Sequence, residues 1–439
     1  MHSRILLTTT YKTEDYYDYF GANAKTPVRF ITKRKKSWGL RFLKQNVPGL
    51  EILEYPTWEE YVKKLKEGWD VVGFSFFTNE VPEIIEMAEE ARRMGIKELW
   101  AGNYGALEKG VQEYFDRVFI GYAERSIGEL LGYKVERVIH PPLVDILRLG
   151  PFSIKYKNFG ILFTQRGCPY RCSFCQTPSF FPKPEKIPLD SIERVLLWYK
   201  RHGIRDLAIL DENFGTFPSH TERVVELLGR YGFYWSVMTR ADIILKNFDF
   251  WLDSGFIAGL IGVENLSPGI LNRIGKRESV YAVKECVERL HERNKYLIGY
   301  YMIGFEEETE EVIRESIKRV SWWKIDFNQL CIVTPFPETP LWHEIEKKYG
   351  IFDRDWHHWD TKHLVWNHPY ISPKKMRELL LWGFDRLNPS LRWFEGLSRL
   401  IRTYLFNSKN IFAGLNYLLI DAPRRAVLEN DRRFYFLTN

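Results

Sequence analysis

The sequence predicts an α/β protein in three parts. A parallel sheet covered on both faces occupies residues 1–135, a partial six-stranded β/α barrel 159–345, and a helical region 346–439, with 136–158 as a linker. Three observations carry this. Short apolar runs alternate with helical periodicity over the first 135 residues. The same rhythm restarts at residue 159 after a stretch holding Pro141, Pro142 and Pro151. It stops near residue 346, where helical spacing takes over.

In the first part, Arg4 to Thr9, Glu51 to Tyr55, Asp70 to Ser75, Leu99 to Gly102 and Arg117 to Gly121 read as strands. Val81, Ile84, Ile85, Met87, Ala88 and Ala91 follow near-helical spacing, and Ser126 with Glu129 predicts a capping box that opens a last helix. Ligands of such sheets sit beyond the C-terminal strand ends. Here those ends carry Ser75 to Thr78, Gly102 to Gly105, and Gly121 to Glu124.

In the second part, six strands are predicted. They are Gly160 to Thr164, Leu207 to Leu210, Tyr234 to Thr239, Ile257 to Val263, Leu297 to Ile303 and Gln329 to Thr334. Each closes on a polar or turn element, among them Asp211-Glu212-Asn213, Arg240 and Glu264. Barrel active sites gather at those ends.

In the third part, Leu391, Phe394, Leu397, Leu400, Ile401, Tyr404 and Leu405 keep helical spacing, with Arg392, Arg399 and Arg402 interleaved. Two readings stay open: a helix cap packed on the barrel, or a basic, aromatic surface that touches a membrane.

Composition sets bounds on the function. The chain has 439 residues, 45% hydrophobic and 27% charged, as in an ordinary globular protein. No apolar run reaches the length of a secretory signal core or a membrane span, so a cytoplasmic location is expected, with membrane association through the tail as the option. The net charge of +6 is mild. It concentrates in Lys33 to Lys36 and in the last fifty residues, where eight Lys/Arg face four Asp/Glu. No recognisable RNA-binding module with a basic stripe is present, so nucleic acid is not an expected partner.

Five cysteines are present, and three fall within eight residues: Cys168, Cys172 and Cys175. In a reducing compartment that grouping points to a metal site rather than a disulfide framework. Three thiolates at C-x3-C-x2-C spacing suit three irons of a [4Fe–4S] cluster and leave the fourth open to a small molecule. Zinc would want a fourth Cys or His at ligand spacing. Cys286 and Cys331 stand alone and read as ordinary buried thiols.

The stretch Gly167-Cys168-Pro169-Tyr170-Arg171-Cys172-Ser173-Phe174-Cys175 resembles the signature of the radical SAM superfamily, with Phe174 as the aromatic residue before the third cysteine. Five further segments resemble that family's strand motifs in order: Leu210 to Phe214, Met238 to Asp242, Gly262 to Asn265, Tyr301 to Thr309 and Thr334 to Trp342. The resemblance implies a reduced [4Fe–4S] cluster on Cys168, Cys172 and Cys175 that cleaves S-adenosylmethionine to a 5′-deoxyadenosyl radical. It implies that Arg240 meets the methionyl carboxylate, that Glu264 and Asp211 or Glu212, beside Asn213, meet the ribose or amine, and that Phe174 packs near the adenine. A structural strand-end contact is the competing reading for each carboxylate.

Residues 1–135 resemble the Rossmann-like, cobalamin-binding-type domain ahead of the barrel in the class B-like branch of that superfamily. This implies cobalamin beside Ser75, Thr78, Gly102, Asn103, Gly105, Gly121 and Glu124. The D-x-H-x-x-G motif is absent, and His2 is the sole histidine in the first 130 residues, so no histidine from that loop is expected on cobalt. The alternative is a Rossmann-like domain that only shapes the substrate site.

The function implied is a cobalamin-dependent C-methyltransferase acting on an unactivated carbon. The alternative is a cyclase, rearrangement or carbon–carbon bond-forming enzyme of the same architecture. A small-molecule or lipid substrate and an electron donor such as ferredoxin or flavodoxin are the expected partners. A cluster-binding regulator without catalysis fits the ordered motifs poorly. Methylthiotransferases are set aside, because no cysteine precedes Cys168.

Overall fold

In the computed structural model, residues 3–11, 36–149 and 154–407 are described, together with residues 415 and 419. The basic run from Lys33 lies outside them apart from Lys36, as does most of the tail beyond residue 407.

The first sheet has five strands: β1 (Ile5–Thr8), β2 (Leu50–Leu53), β3 (Val71–Ser75), β4 (Glu98–Gly102) and β5 (Arg117–Phe119). All pair in parallel, in the order β2-β1-β3-β4-β5. The order reverses between β1 and β3, and a doubly wound sheet opens its ligand crevice at that reversal. Helices cover both faces because each shows one apolar stripe. Helix Val81–Arg93 buries Val81, Ile84, Met87, Ala88 and Ala91. Helix Trp58–Leu65 is fixed at its start by a reciprocal box between Thr57 and Glu60.

The box expected at Ser126 does not form. That helix runs Glu124–Leu130 from an Ala123 cap, and Ser126 lies inside it. Its first residue, Glu124, pairs with a residue of the barrel (below).

The second sheet begins inside the expected linker. A hairpin pairs β6 (Leu143–Leu149) antiparallel with β7 (Ile154–Leu162), so much of 136–158 is sheet. Pro141 and Pro142 sit just ahead of β6, where their missing N–H groups cost little, and Pro151 lies outside the described residues. Then come the short β8 (Gln165–Arg166) and β9 (Glu185–Lys186), which pair with each other around the cysteine loop. The barrel continues through β10 (Asp206–Ile209), β11 (Tyr234–Thr239), β12 (Phe256–Glu264), β13 (Tyr296–Ile303) and β14 (Phe327–Ile332). Six strands run in parallel, in the order β7-β10-β11-β12-β13-β14, as the six predicted runs require.

β13 alternates half-buried and buried residues along its whole length, the period-two signature of a strand between a core and a barrel interior. Trp235, Trp251, Phe214 and Phe256 pack edge-on or tilted at 5.1–6.0 Å in the main core. That cluster places part of the chain's 16% aromatic content in the core.

Beyond the barrel, helices Pro340–Lys348, Pro373–Leu387 and Ser390–Asn407 follow, as the helical spacing predicts. The last lies against β13 and β14, with Arg399 on Asp326 and the Thr403 hydroxyl donating to the Asn294 carbonyl, while buried Tyr404 packs with Ile257 and Ala258 of β12.

Candidate functional site

The cysteine loop leaves β8 at Gly167, whose φ of +76° turns the chain away from the sheet. A Cβ there would sit 3.0 Å from the Phe181 ring and 3.2 Å from the Phe181 carbonyl, so only glycine fits. The loop is then held from three sides.

The first side is the segment after β12. Ser173 N–H donates to the Ile274 carbonyl at 2.9 Å, and the Cys172 Sγ lies 4.0 Å from the Gly275 carbonyl. The second is the segment after β14. Leu341 N–H donates to the Ser173 carbonyl at 2.9 Å, and the Ser179 hydroxyl donates to the Glu338 carbonyl at 2.7 Å. The third is the Rossmann-like domain. The Tyr104 hydroxyl lies 3.3 Å from that of Thr177, and the Tyr104 ring stands 4.4 Å from Phe180.

The three thiols feel one another. Burial, above all, raises Cys168 and Cys172 to about 11; Cys175 adds to the rise at both, and Cys168 adds to it at Cys172. Burial raises Cys175 as well. No group of three His, Cys, Asp or Glu among the described residues closes to the distances of one metal ion. A polynuclear cluster does not ask for that, since each thiolate takes a different iron.

Lys276 counters the burial penalty at Cys172. It is 7% exposed, and its ammonium lies 3.3 Å from Glu264 and 3.5 Å from Glu278. Burial opposes its charge, but the two carboxylates outweigh that and raise its pKa. The sequence reading missed Lys276. It lies in a loop, and the signal was its place between Gly275 and Arg277 beside the cysteine segment.

Glu264 reaches Lys276 from a left-handed backbone, φ +59°, at a register shift that ends β12. Gly262 makes the room: a Cβ there would fall 2.0 Å from the Glu264 carboxylate.

Several predicted site residues are engaged within the protein. Asp211 is fully buried and accepts from Thr164 N–H at 2.7 Å and Gln165 N–H at 3.3 Å. Burial raises its carboxyl to about 8. Asn213 gives its carbonyl to the Gln165 amide at 2.7 Å. Arg240 reaches Asp242 at 3.0 Å and the Lys276 and Arg277 carbonyls at 2.7 and 3.3 Å, and stacks over Tyr170 at 4.3 Å. It braces the cysteine loop. Phe174 packs half-buried against the main core. Glu212 accepts from Gly167 N–H at 3.0 Å and from the Tyr122 hydroxyl.

In the first domain, Ser75 and Gly102 are register partners at the ends of β3 and β4. Asn103 follows with φ +74°, and Gly105 N–H donates to the Phe76 carbonyl at 2.9 Å. Thr78 is 2% exposed, and its buried hydroxyl has no partner. Glu124 pairs with Arg166, and Gly121, φ +94°, packs on Phe180 and Phe181. The structure therefore divides this set. Ser75, Thr78, Gly102, Asn103 and Gly105 stay at the sheet's C-terminal edge. Gly121 and Glu124 face the barrel.

The fold and the cysteine loop define a radical SAM domain carried behind a Rossmann-like domain. Residues 162–320 match the model of the Radical SAM superfamily. The chain is 26% identical to bacteriochlorophyllide d C-12(1)-methyltransferase of Chlorobaculum tepidum, over 65% of this chain and 62% of that protein. It is 25% identical to the anaerobic magnesium-protoporphyrin IX monomethyl ester cyclase of Cereibacter sphaeroides, over 48% of this chain and 35% of that one. The chain thus spans less than two thirds of these relatives' own lengths. Among solved structures, it is similar to the cobalamin-dependent S-adenosylmethionine radical enzyme OxsB with aqua-cobalamin and S-adenosylmethionine bound. The TM-score is 0.62 at 13% identity, covering 98% of this chain and 76% of that one, a likeness of fold.

Proposed function

We propose that this protein is a cobalamin-dependent radical SAM C-methyltransferase. The observation that carries the reading is the loop Cys168–Cys175, held on three sides, with Lys276 and Glu264 beside it at the C-terminal ends of the barrel strands. Three thiols, with no group of His, Cys, Asp or Glu among the described residues closing on a single metal ion, fit a [4Fe–4S] cluster with one open iron. When bound and reduced, it would supply the electron for reductive cleavage of S-adenosylmethionine to a 5′-deoxyadenosyl radical.

The chain's own residues bind and orient. Lys276 offers a buried cation for the methionyl carboxylate, the role expected of Arg240, whose guanidinium already holds the loop. Glu264 offers an acceptor for the amine or ribose. Asp211 fixes the approach to the loop through Thr164 and Gln165. On the Rossmann-like side, the unpartnered Thr78 hydroxyl and the Ser75–Gly105 edge fit a polar cofactor tail. A doubly wound sheet binds there, and a buried hydroxyl without a partner costs stability unless a ligand fills the role. Cobalamin is the cofactor proposed for it. The match to a cyclase keeps the alternative of ring-forming or rearrangement chemistry open to the same test. The substrate is a small molecule or lipid, and the electron donor is of the ferredoxin or flavodoxin class.

A second reading, peripheral membrane contact, rests on helix Ser390–Asn407. It leaves Leu391 70% and Phe394 57% exposed, with exposed Ile401 and Arg402 further along the same helix. No helix among the described residues is long and apolar enough to cross a membrane. Co-sedimentation with anionic vesicles checks this. Wild type pellets and Leu391→Asp/Phe394→Asp does not if the reading holds, and equal recovery removes it.

Cys172→Ala tests the main reading. It should abolish the cluster's visible absorbance and all S-adenosylmethionine cleavage while the chain stays folded, and retained cleavage would overturn the assignment. Cys286→Ala should do neither, since Cys286 is fully buried in the main core.

A further inference from the structure

The residues flanking the cysteine triplet are tied to one turn of the Rossmann-like domain. Arg166, 2% exposed, makes two contacts to Glu124 at 2.9 and 2.6 Å, and its guanidinium lies between the rings of Phe42 at 4.5 Å and Tyr122 at 4.2 Å. The next residue, Gly167, donates its N–H to Glu212, whose other carboxylate oxygen accepts from the Tyr122 hydroxyl. Beyond the triplet, Phe181 stacks edge-on against Tyr122 at 4.9 Å. Gly121 and Gly167, both left-handed, press on that same Phe181.

Docking two domains does not require this. The exposed pairs Arg125–Glu185 at 2.7 Å and Lys109–Glu338 at 3.2 Å already bridge them. The Tyr122–Glu212–Gly167 chain instead ends on the backbone amide just before Cys168.

We propose that Tyr122 and Glu212 are positioning residues through which the Rossmann-like domain sets the geometry of the cysteine loop. The inference rests on the reading that this loop holds the cluster. Tyr122 fixes the rotamer of the Glu212 carboxylate. The carboxylate fixes the Arg166–Gly167 peptide, and with it the direction in which Cys168 leaves the strand. Burial raises the Glu212 carboxyl, while the Tyr122 hydroxyl and the Gly167 N–H favour its charged form, and in that form it disfavours adding an electron to a group held beside Cys168 and Cys175.

The test uses the full-length chain in two arms. In the first, amide exchange is followed in metal-free wild type, Tyr122→Phe and Arg125→Ala. Tyr122→Phe should speed exchange of the Gly167 amide on the order of ten-fold, the weight of one hydrogen bond to a charged acceptor, with the β10–β14 core unchanged. Arg125→Ala, which loosens the same interface without touching Glu212, should leave it alone. In the second, the midpoint potential of the reconstituted cluster is titrated. Glu212→Gln, which keeps one acceptor oxygen but loses the charge, should raise it.

Exchange at Gly167 equal to wild type in Tyr122→Phe, or equally fast in Arg125→Ala, would overturn the proposal. So would an unmoved midpoint in Glu212→Gln. A wild-type chain that took up no iron would overturn the functional reading instead, and the metal-free arm would still decide this one.

Discussion

Arg166 and Glu124 lie 42 positions apart and meet through two charge-assisted contacts, at 2.9 and 2.6 Å, with both side chains almost wholly removed from solvent. Paired, each satisfies the other. Without Glu124, Arg166 keeps only the weaker pairing to Glu185 at 3.9 Å against the burial of its charge. Glu124→Ala should therefore destabilise the fold by about 3–5 kcal/mol, whereas the double replacement Arg166→Met/Glu124→Leu should recover much of that loss. Urea denaturation of the three proteins checks the sign and the recovery.

Lys276 gives the second prediction. Lys276→Met keeps the stem and removes the cation beside Cys172 and Glu264. The variant should keep its cluster but bind S-adenosylmethionine at least about ten-fold more weakly, the loss of a charge-assisted contact. Calorimetric titration of the reconstituted protein measures it. Unchanged affinity would return the methionyl carboxylate to another residue.

His140 sets a pH dependence. It is fully buried, accepts from Phe163 N–H at 2.9 Å, and burial lowers its pKa to about 3. The unfolded chain, near 6.5, binds the proton more readily than the folded one. Its contribution is thus complete above about pH 6.5 and is lost as pH falls toward 3, by roughly 1.4 kcal/mol per unit. Asp211, raised by burial to about 8, acts in the opposite sense, costing stability as pH rises from about 4 toward 8. The comparison must be by difference: wild type should lose its advantage over His140→Gln between pH 6.5 and 5, and a constant gap would contradict the account.

Gly262 is a prediction about space. A methyl group there would fall 2.0 Å from the Glu264 carboxylate and 2.7 Å from the Lys276 ammonium. Gly262→Ala should push the pair apart and weaken S-adenosylmethionine binding as Lys276→Met does, while adding little to it in the double variant. Binding titrations of the two singles and the double decide whether the effects share one cause.

The parts legible in the sequence are those whose cause is local. The six barrel runs and the cysteine triplet show in short windows, because strand period and ligand spacing are properties of a few adjacent residues. The strand-end polar groups were legible as positions but not as roles. Asp211 reads as a free carboxylate until Thr164, 47 residues away, is brought against it. Arg240 reads as a free guanidinium until the carbonyls of residues 276 and 277 close on it. Strand β6 and the first part of β7, up to residue 158, hid among prolines that suggested a linker. Lys276 carried no periodic or motif signal, since a buried lysine in a loop looks like any exposed one.

The most direct test of the central claim is one anaerobic product assay. Reconstituted protein, dithionite, S-adenosylmethionine and candidate substrate extracts are incubated with and without cobalamin, and 5′-deoxyadenosine and S-adenosylhomocysteine are quantified together. The account predicts that both rise in step and only when cobalamin is present. Deoxyadenosine formed alone and indifferent to cobalamin would contradict methyl transfer and leave the Rossmann-like domain as a wall of the substrate site.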